Sequence, residues 1–305
     1  MGALNVPSGL RARAFAPGHV TGVFRPDTTA RDPRARGSVG AGVVLELGAW
    51  VEAEFIPGRR SHVRVIGDGR GPWPITEDVA RRMAPRVPGT FRVRVTHELP
   101  VGQGFGMSAA SALATALAVG AVSGRTRAQA VTVAHLADLF GGGGLGGVAA
   151  ILGGGLEIRR RAGIPPFGEV VHHAFAPTLL VGVVGRPIPS PSVLSDPKML
   201  RRIRRASRDW DRVDRHPTPE EFFERSERFT DRAGLASPEV RRVVTGLRRR
   251  GASACQAMFG QSFVALPRSR TEREACLEWL ASEGVRAVEL RAAGHGARLV
   301  RSGPA

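Results

Sequence analysis

The sequence predicts an α+β protein of two α/β-layered domains, and three observations carry that prediction. Segments of alternating apolar and polar residues, such as Thr90-Phe91-Arg92-Val93-Arg94-Val95-Thr96, have the two-residue period of half-buried strands. Others, such as Thr126 to Phe140, place Ala130, Val133, Ala134, Ala137 and Leu139 at helical spacing. Finally, Pro165-Pro166-Phe167-Gly168 interrupts the chain, and the half beyond it carries more charge and longer helices. A boundary is therefore expected near residue 170, with domains at 1–170 and 171–305. A chain of 305 residues with 42% hydrophobic content can bury a core in each.

From the start, Ala12 to Val23 and Val39 to Phe55 read as strands, separated by a turn-rich stretch from Arg25 to Gly37. Gly37-Ser38-Val39-Gly40-Ala41-Gly42 offers flexible backbone and one hydroxyl, suited equally to a tight start of a strand or to holding a small anion. The strand at Thr90 leads into Pro100-Val101-Gly102-Gln103-Gly104-Phe105-Gly106-Met107-Ser108-Ala109-Ala110-Ser111, three alternate glycines followed by an Ala-rich helix to Val122. Glycines let backbone approach a ligand, and the first amides of a helix are unpaired donors at the positive end of its dipole. A phosphate fits such a loop. It is not GxxxxGK[ST], since Lys198 is the only lysine, nor is it GxGxxG.

The helix expected at Thr126 to Phe140 carries His135 and Asp138, three apart and so neighbours on one face. Glycine then dominates from Gly141 to Gly147 and again at Gly153 to Gly155, a cost in folding entropy that close backbone approach would justify. The second half reads as a strand at Thr178 to Val184, a basic helix at Leu194 to Val213, and a helix at Pro219 to Ala233 with Phe222, Phe223 and Phe229 inward. A helix at Pro238 to Arg250 and a strand at Ser262 to Leu266 follow.

The formal charge of +17 is almost wholly arginine and scattered along the chain. Its clusters, Arg201-Arg202-Ile203-Arg204-Arg205 and Arg248-Arg249-Arg250, read as solvated helical faces, so no nucleic-acid partner is expected. Cys255 and Cys276 are too few for a disulfide framework, and no His or Cys spacing, His172 and His173 included, supports zinc. Met1 to Arg13 lacks an apolar stretch of signal-peptide length, and the most apolar helix is interrupted by serine and threonine. A soluble cytoplasmic protein without a membrane partner is expected.

Three separated segments together resemble the motifs of the GHMP kinases, the superfamily of galactokinase, homoserine kinase and mevalonate kinase. They are Ala16-Pro17-Gly18-His19-Val20-Thr21-Gly22, the 100–111 loop and the glycine-rich region from Ala252 to Phe263. Within it, APGHVTGVF, GSVGAGV, PVGQGFGMSAASALATALA and AHLAD followed by a GLG turn are similar to the archaeal pantoate kinases, over nearly the whole chain.

The resemblance implies the GHMP kinase fold, with nucleotide and substrate in a cleft between the domains, and a homodimer. It implies phosphorylation of (R)-pantoate to (R)-4-phosphopantoate in coenzyme A biosynthesis, with ATP and Mg2+. ATP would lie on Pro100, Gly102, Gly104, Gly106, Met107, Ser108, Ala109, Ala110 and Ser111. Ser108 and Asp138, where similar enzymes carry glutamate, would serve catalysis and hold the metal. His19, Ser38, His135 and Arg159 would bind the substrate, the guanidinium gripping its carboxylate. One departure stands out: the aspartate of the family's GLGD turn is Gly147 here, and glycine cannot act as a base. That leaves two alternatives, another small hydroxy acid or alcohol such as homoserine, or a weakened relative with a binding or regulatory role.

Overall fold

Two long antiparallel strands, β1 (Leu10–Asp27) and β2 (Gly37–Pro57), form the axis of the first sheet. The computed structural model describes residues 9–69, 73–187, 194–208 and 218–304. Both strands outrun the spans expected from alternation. β1 tolerates Pro17 beside a register shift and Pro26 next to its end, where a missing N–H costs little. The connecting stretch holds a short 3-10 turn, Pro33–Ala35, capped by Asp32.

The chain continues through β3 (Ser61–Gly67), α1 (Pro74–Met83), β4 (Gly89–His97), α2 (Met107–Val122), α3 (Arg127–Phe140) and α4 (Gly147–Ala150). After β5 (Leu156–Arg161) and β6 (Glu169–His173), the second half contributes only β11 (Arg298–Pro304) to this sheet. The order is β11-β1-β2-β4-β3, with β5 on β2 and β6 on β5. β2 is shared lengthwise: Gly40–Val43 pairs with β5, whereas Ala49–Pro57 pairs with β4. Its first half can therefore carry site residues while its second half holds the sheet together.

α2 is buried at every residue except Ser108 and Ala121. Its alanines keep the cylinder thin, so it lies close against β1 and β2 with α1 and α3 at its flanks. α3 begins where Thr126 and Gln129 form a reciprocal capping box.

A second, antiparallel sheet has the order β10-β7-β9-β8, from β7 (Thr178–Val183), β8 (Ser253–Gln256), β9 (Ser262–Leu266) and β10 (Ala287–Arg291). With it go α5 (Pro197–Ala206), α6 (Pro219–Ala233), α7 (Pro238–Arg248) and α8 (Arg270–Ser282). α6 matches its expected span because Thr218 and Glu221 cap its start and left-handed Gly234 ends it. The basic helix expected over Leu194 to Val213 is α5, and residues 209–213 of that span lie outside the described residues. The boundary expected near residue 170 falls inside β6, and β11 returns from the far end of the chain to the first sheet. No helix among the described residues is long and apolar enough to cross a membrane.

Candidate functional site

The glycine loop joins β4 to α2, and Gly102, Gly104 and Gly106 all adopt left-handed φ values of 76°, 78° and 68°. A Cβ on Gly104 would lie 2.3 Å from the Ala257 carbonyl oxygen, so even a methyl group is excluded there. Gly106 is the N-cap of α2 and has no side chain to bond the first-turn amides, which face the loop. The three sequence motifs converge here. The His19 amide donates to the Phe105 carbonyl at 3.0 Å, and the Ser262 hydroxyl donates to the Gln103 carbonyl.

Beside the loop lies a cavity of about 200 Å³, lined by Gly102, Gly104, Gly106, Met107, Ser108 and Ala109 on one side. At its floor the Ser108 hydroxyl donates to Asp138 Oδ1 at 2.6 Å. Asp138 is buried, and burial pushes its carboxyl up to about 6 although the bond from Ser108 pulls the other way. A carboxylate at a serine hydroxyl and a helix N-terminus can hold a hard cation beside bound phosphate.

The lining also includes His19, Thr21, Ser38 and Arg159. Arg159 is only 2% exposed, and its Nη1 donates to Glu157 Oε1 in a short ion pair. Glu157 is fully buried and its Oε1 also accepts from His19 Nε2 at 2.9 Å. Burial alone would raise the Glu157 carboxyl, but Arg159 and the His19 bond outweigh it and hold it below the ordinary value. Burial lowers His19, and the Glu157 bond only partly offsets this. Arg159 Nε has no hydrogen-bond partner among the described residues and sits over Gly146 with the Ser38 hydroxyl. An anionic group that reached this wall would find a guanidinium edge and a hydroxyl together.

Not every expected residue reaches the cavity. His135 turns away: its Nε2 lies 3.3 Å from the Pro33 carbonyl, under the 3-10 turn. Residues three apart on a helix still diverge by about 60° around the axis, enough to send Asp138 to the cavity and His135 to that turn. Pro100 is exposed outside it and Ala110 is in the core. The Ser111 hydroxyl donates to the Met107 carbonyl and meets His97 Nε2 at 2.7 Å instead. His172 bonds the Gly154 carbonyl, and no group of three His, Cys, Asp or Glu that could hold a metal occurs among the described residues. Burial pushes the Cys255 thiol up to about 12, which leaves it inert as a nucleophile.

Glu157 is the residue that the sequence reading missed. Its signal was the two-residue period of a strand, which puts Glu157 and Arg159 on one face of Leu156-Glu157-Ile158-Arg159.

Gly147 starts α4, and a Cβ there would lie 2.6 Å from Ala109 Cβ on α2. α4 thus packs against α2 at a separation that only glycine permits. Gly147→Asp is expected to cost about 1–3 kcal/mol of stability through this overlap. Urea unfolding at neutral pH measures it, and an unchanged midpoint would show that α4 shifts freely.

Comparison with known proteins gives the same picture. The GHMP kinases N terminal domain matches residues 74–155. A pantoate kinase of Thermococcus kodakarensis is 32% identical over 272 residues, covering 86% of this chain and 90% of that protein. A pantoate kinase of Methanospirillum hungatei is 29% identical over 266 residues, with 84% and 87% covered. A solved structure described as a phosphotransferase related to the CoA biosynthesis pathway superposes with a TM-score of 0.86 at 30% identity, covering 96% of this chain and 99% of that one. With the glycine loop, the Ser108–Asp138 pair and the buried Arg159 in one cavity, these likenesses show that the chain belongs to the pantoate kinase family of the GHMP kinases.

Proposed function

We propose that this kinase transfers the terminal phosphoryl group of ATP to the hydroxyl of (R)-pantoate, giving (R)-4-phosphopantoate for coenzyme A synthesis. The observation that carries this reading is one cavity lined both by a phosphate-type loop and by the buried Arg159 with Ser38. A substrate with a carboxylate at one end and a hydroxyl at the other fits between them. The glycine loop binds polyphosphate through backbone amides, and the α2 dipole favours its charge. Ser108 and Asp138 fit a magnesium ion: an oxygen pair 2.6 Å apart, Ser108 half-buried and Asp138 buried, with no cation bonded to Asp138 among the described residues. Magnesium supplies neutralisation of phosphate charge when bound. Arg159 and Ser38 orient the acid through a planar guanidinium and a hydroxyl. His135, bonded to the turn below, supports the α3 face that carries Asp138.

In the same reading the first sheet with α1–α4 and the second sheet with α5–α8 act as two lobes around the cleft, and the protein is a cytoplasmic homodimer. Light scattering of the purified chain tests the dimer.

The decisive measurement is ADP release with magnesium-ATP and a panel of pantoate, homoserine and mevalonate. Pantoate is expected to be preferred, and equal or better use of homoserine would overturn the substrate assignment. Ser108→Ala removes a hydrogen bond to a buried carboxylate, worth about 1.5–3 kcal/mol, so turnover is expected to fall roughly 10-fold to 100-fold. An unchanged rate would show that the metal and phosphate lie elsewhere.

A further inference from the structure

Resting on that kinase reading, we propose that His19 and Glu157 form a proton-accepting dyad, in which His19 Nδ1 takes the proton of the hydroxyl that attacks the phosphoryl group. The cavity needs such a group. Among its lining residues the side chains able to accept a proton at neutral pH are Asp138 and His19. Asp138 Oδ1 already accepts the hydrogen bond of the Ser108 hydroxyl, and this carboxyl is the one placed at the metal. The Arg159 guanidinium offers donors and no acceptor, and position 147 has no side chain.

The tautomer of His19 follows from its partner. Glu157 is an ionised carboxylate that can only accept, so the 2.9 Å contact requires the proton on His19 Nε2. Burial keeps the imidazole neutral, and Nδ1 therefore carries a lone pair. The two edges of the ring are not equivalent. A Cβ at position 42 would lie 2.2 Å from Nε2 and 2.6 Å from Cε1, so Gly42 covers that edge. Nδ1 lies 3.4 Å from the Thr21 hydroxyl, its one hydrogen-bond partner among the described residues, and Thr21 itself lines the cavity.

As the substrate oxygen bonds to the γ-phosphorus, its proton passes to His19 Nδ1. The bond from that phosphorus to the bridging oxygen breaks, and its electron pair leaves with ADP. The imidazolium so formed is stabilised by Glu157, already ionised and in contact. Other charges bearing on His19 are Arg159 on β5 and His172 on β6, both of which oppose its protonation and so favour release of the proton before the next cycle. Glu157 is also held by Arg159, which makes the dyad part of the wall that orients the acid.

Three measurements test the proposal. Nitrogen NMR of the imidazoles in the free protein is expected to show His19 as the Nε2–H tautomer, and an Nδ1–H tautomer overturns the dyad regardless of activity. His19→Gln is expected to lower kcat with pantoate by about 10²-fold to 10⁴-fold with a smaller change in KM. A kcat within about threefold of the natural protein overturns it. Glu157→Gln keeps an acceptor for Nε2–H but removes the charge. It is expected to move the acidic limb of kcat/KM to lower pH, because the carboxylate raises the His19 pKa. Asp138 also titrates, at about 6, but Glu157 does not figure among the groups that shift it. An unmoved limb therefore assigns the acidic limb to Asp138 and overturns the dyad. If His19→Gln fails to fold, the limb and the NMR tautomer decide. Absence of pantoate turnover by the natural protein strikes the kinase reading instead, and the tautomer measurement still stands.

Discussion

Arg159→Met is expected to abolish saturable use of pantoate and to cost about 3–5 kcal/mol of stability. Both losses come from one geometry. The guanidinium is 2% exposed and its closest partner, Glu157, is fully buried, so removing the cation leaves a carboxylate in low dielectric with His19 hydrogen-bonded to it and no guanidinium. Methionine fills most of the volume, which confines the effect to charge. The pH dependence has a definite sign. The Glu157 carboxyl is held below its ordinary value of 4.5, so the stability it contributes is present above pH 4.5 and is lost as pH falls through its folded value. The deficit of the variant is therefore largest at neutral pH and shrinks in acid. Urea unfolding across that range measures it. The pair Arg159→Met with Glu157→Gln is expected to recover most of the stability and none of the activity, and recovery of both would remove Arg159 from the substrate wall.

Asp138→Asn is expected to produce the opposite pairing, a more stable protein with turnover lowered by about 10²-fold or more. The asparagine oxygen still accepts the Ser108 proton, so the local bond survives while the charge goes. Asp138 has its pKa raised from 3.8 to about 6 by burial. For an acid with a raised value, the folded state is favoured below pH 3.8 and loses that advantage as pH rises to about 6. Above pH 6 the buried charge penalises the natural protein by about 3 kcal/mol, which asparagine avoids. Thermal unfolding of the free protein at pH 4 and pH 7.5 should show the gain only at the higher pH. Magnesium with nucleotide should then stabilise the natural protein more than the variant, and equal stabilisation would place the metal elsewhere.

Much of this was legible in the sequence because it depends on local rules. Three alternate glycines can bend a loop as no other residues can, and Thr218 with Glu221 fixes the start of α6 without help from the rest of the chain. Ser108 and Asp138 were placed in the site and do meet. What escaped depended on partners distant in sequence. Glu157 sits in the arginine-rich stretch Leu156–Arg161, and the pairing of β5 with β2 is what buries it against His19. His135 was placed with Asp138 by their spacing, but the docking of the 33–35 turn draws its ring away. Strands β10 and β11 are short and leave Val288, Leu299 and Val300 exposed, so no regular alternation marks them.

The return of β11 to the first sheet bears on how the protein is made. β1 takes β11 as a neighbour, with Leu10 opposite Pro304, so a strand synthesised among the first waits for one among the last. During translation the edge of β1 stays unpaired while the second sheet is still being assembled, an exposed template for pairing with other chains. Closure of this edge joins residues as far apart in sequence as Leu10 and Pro304, and such contacts form slowly. Folding of the site-bearing half is therefore tied to synthesis of the chain through β11.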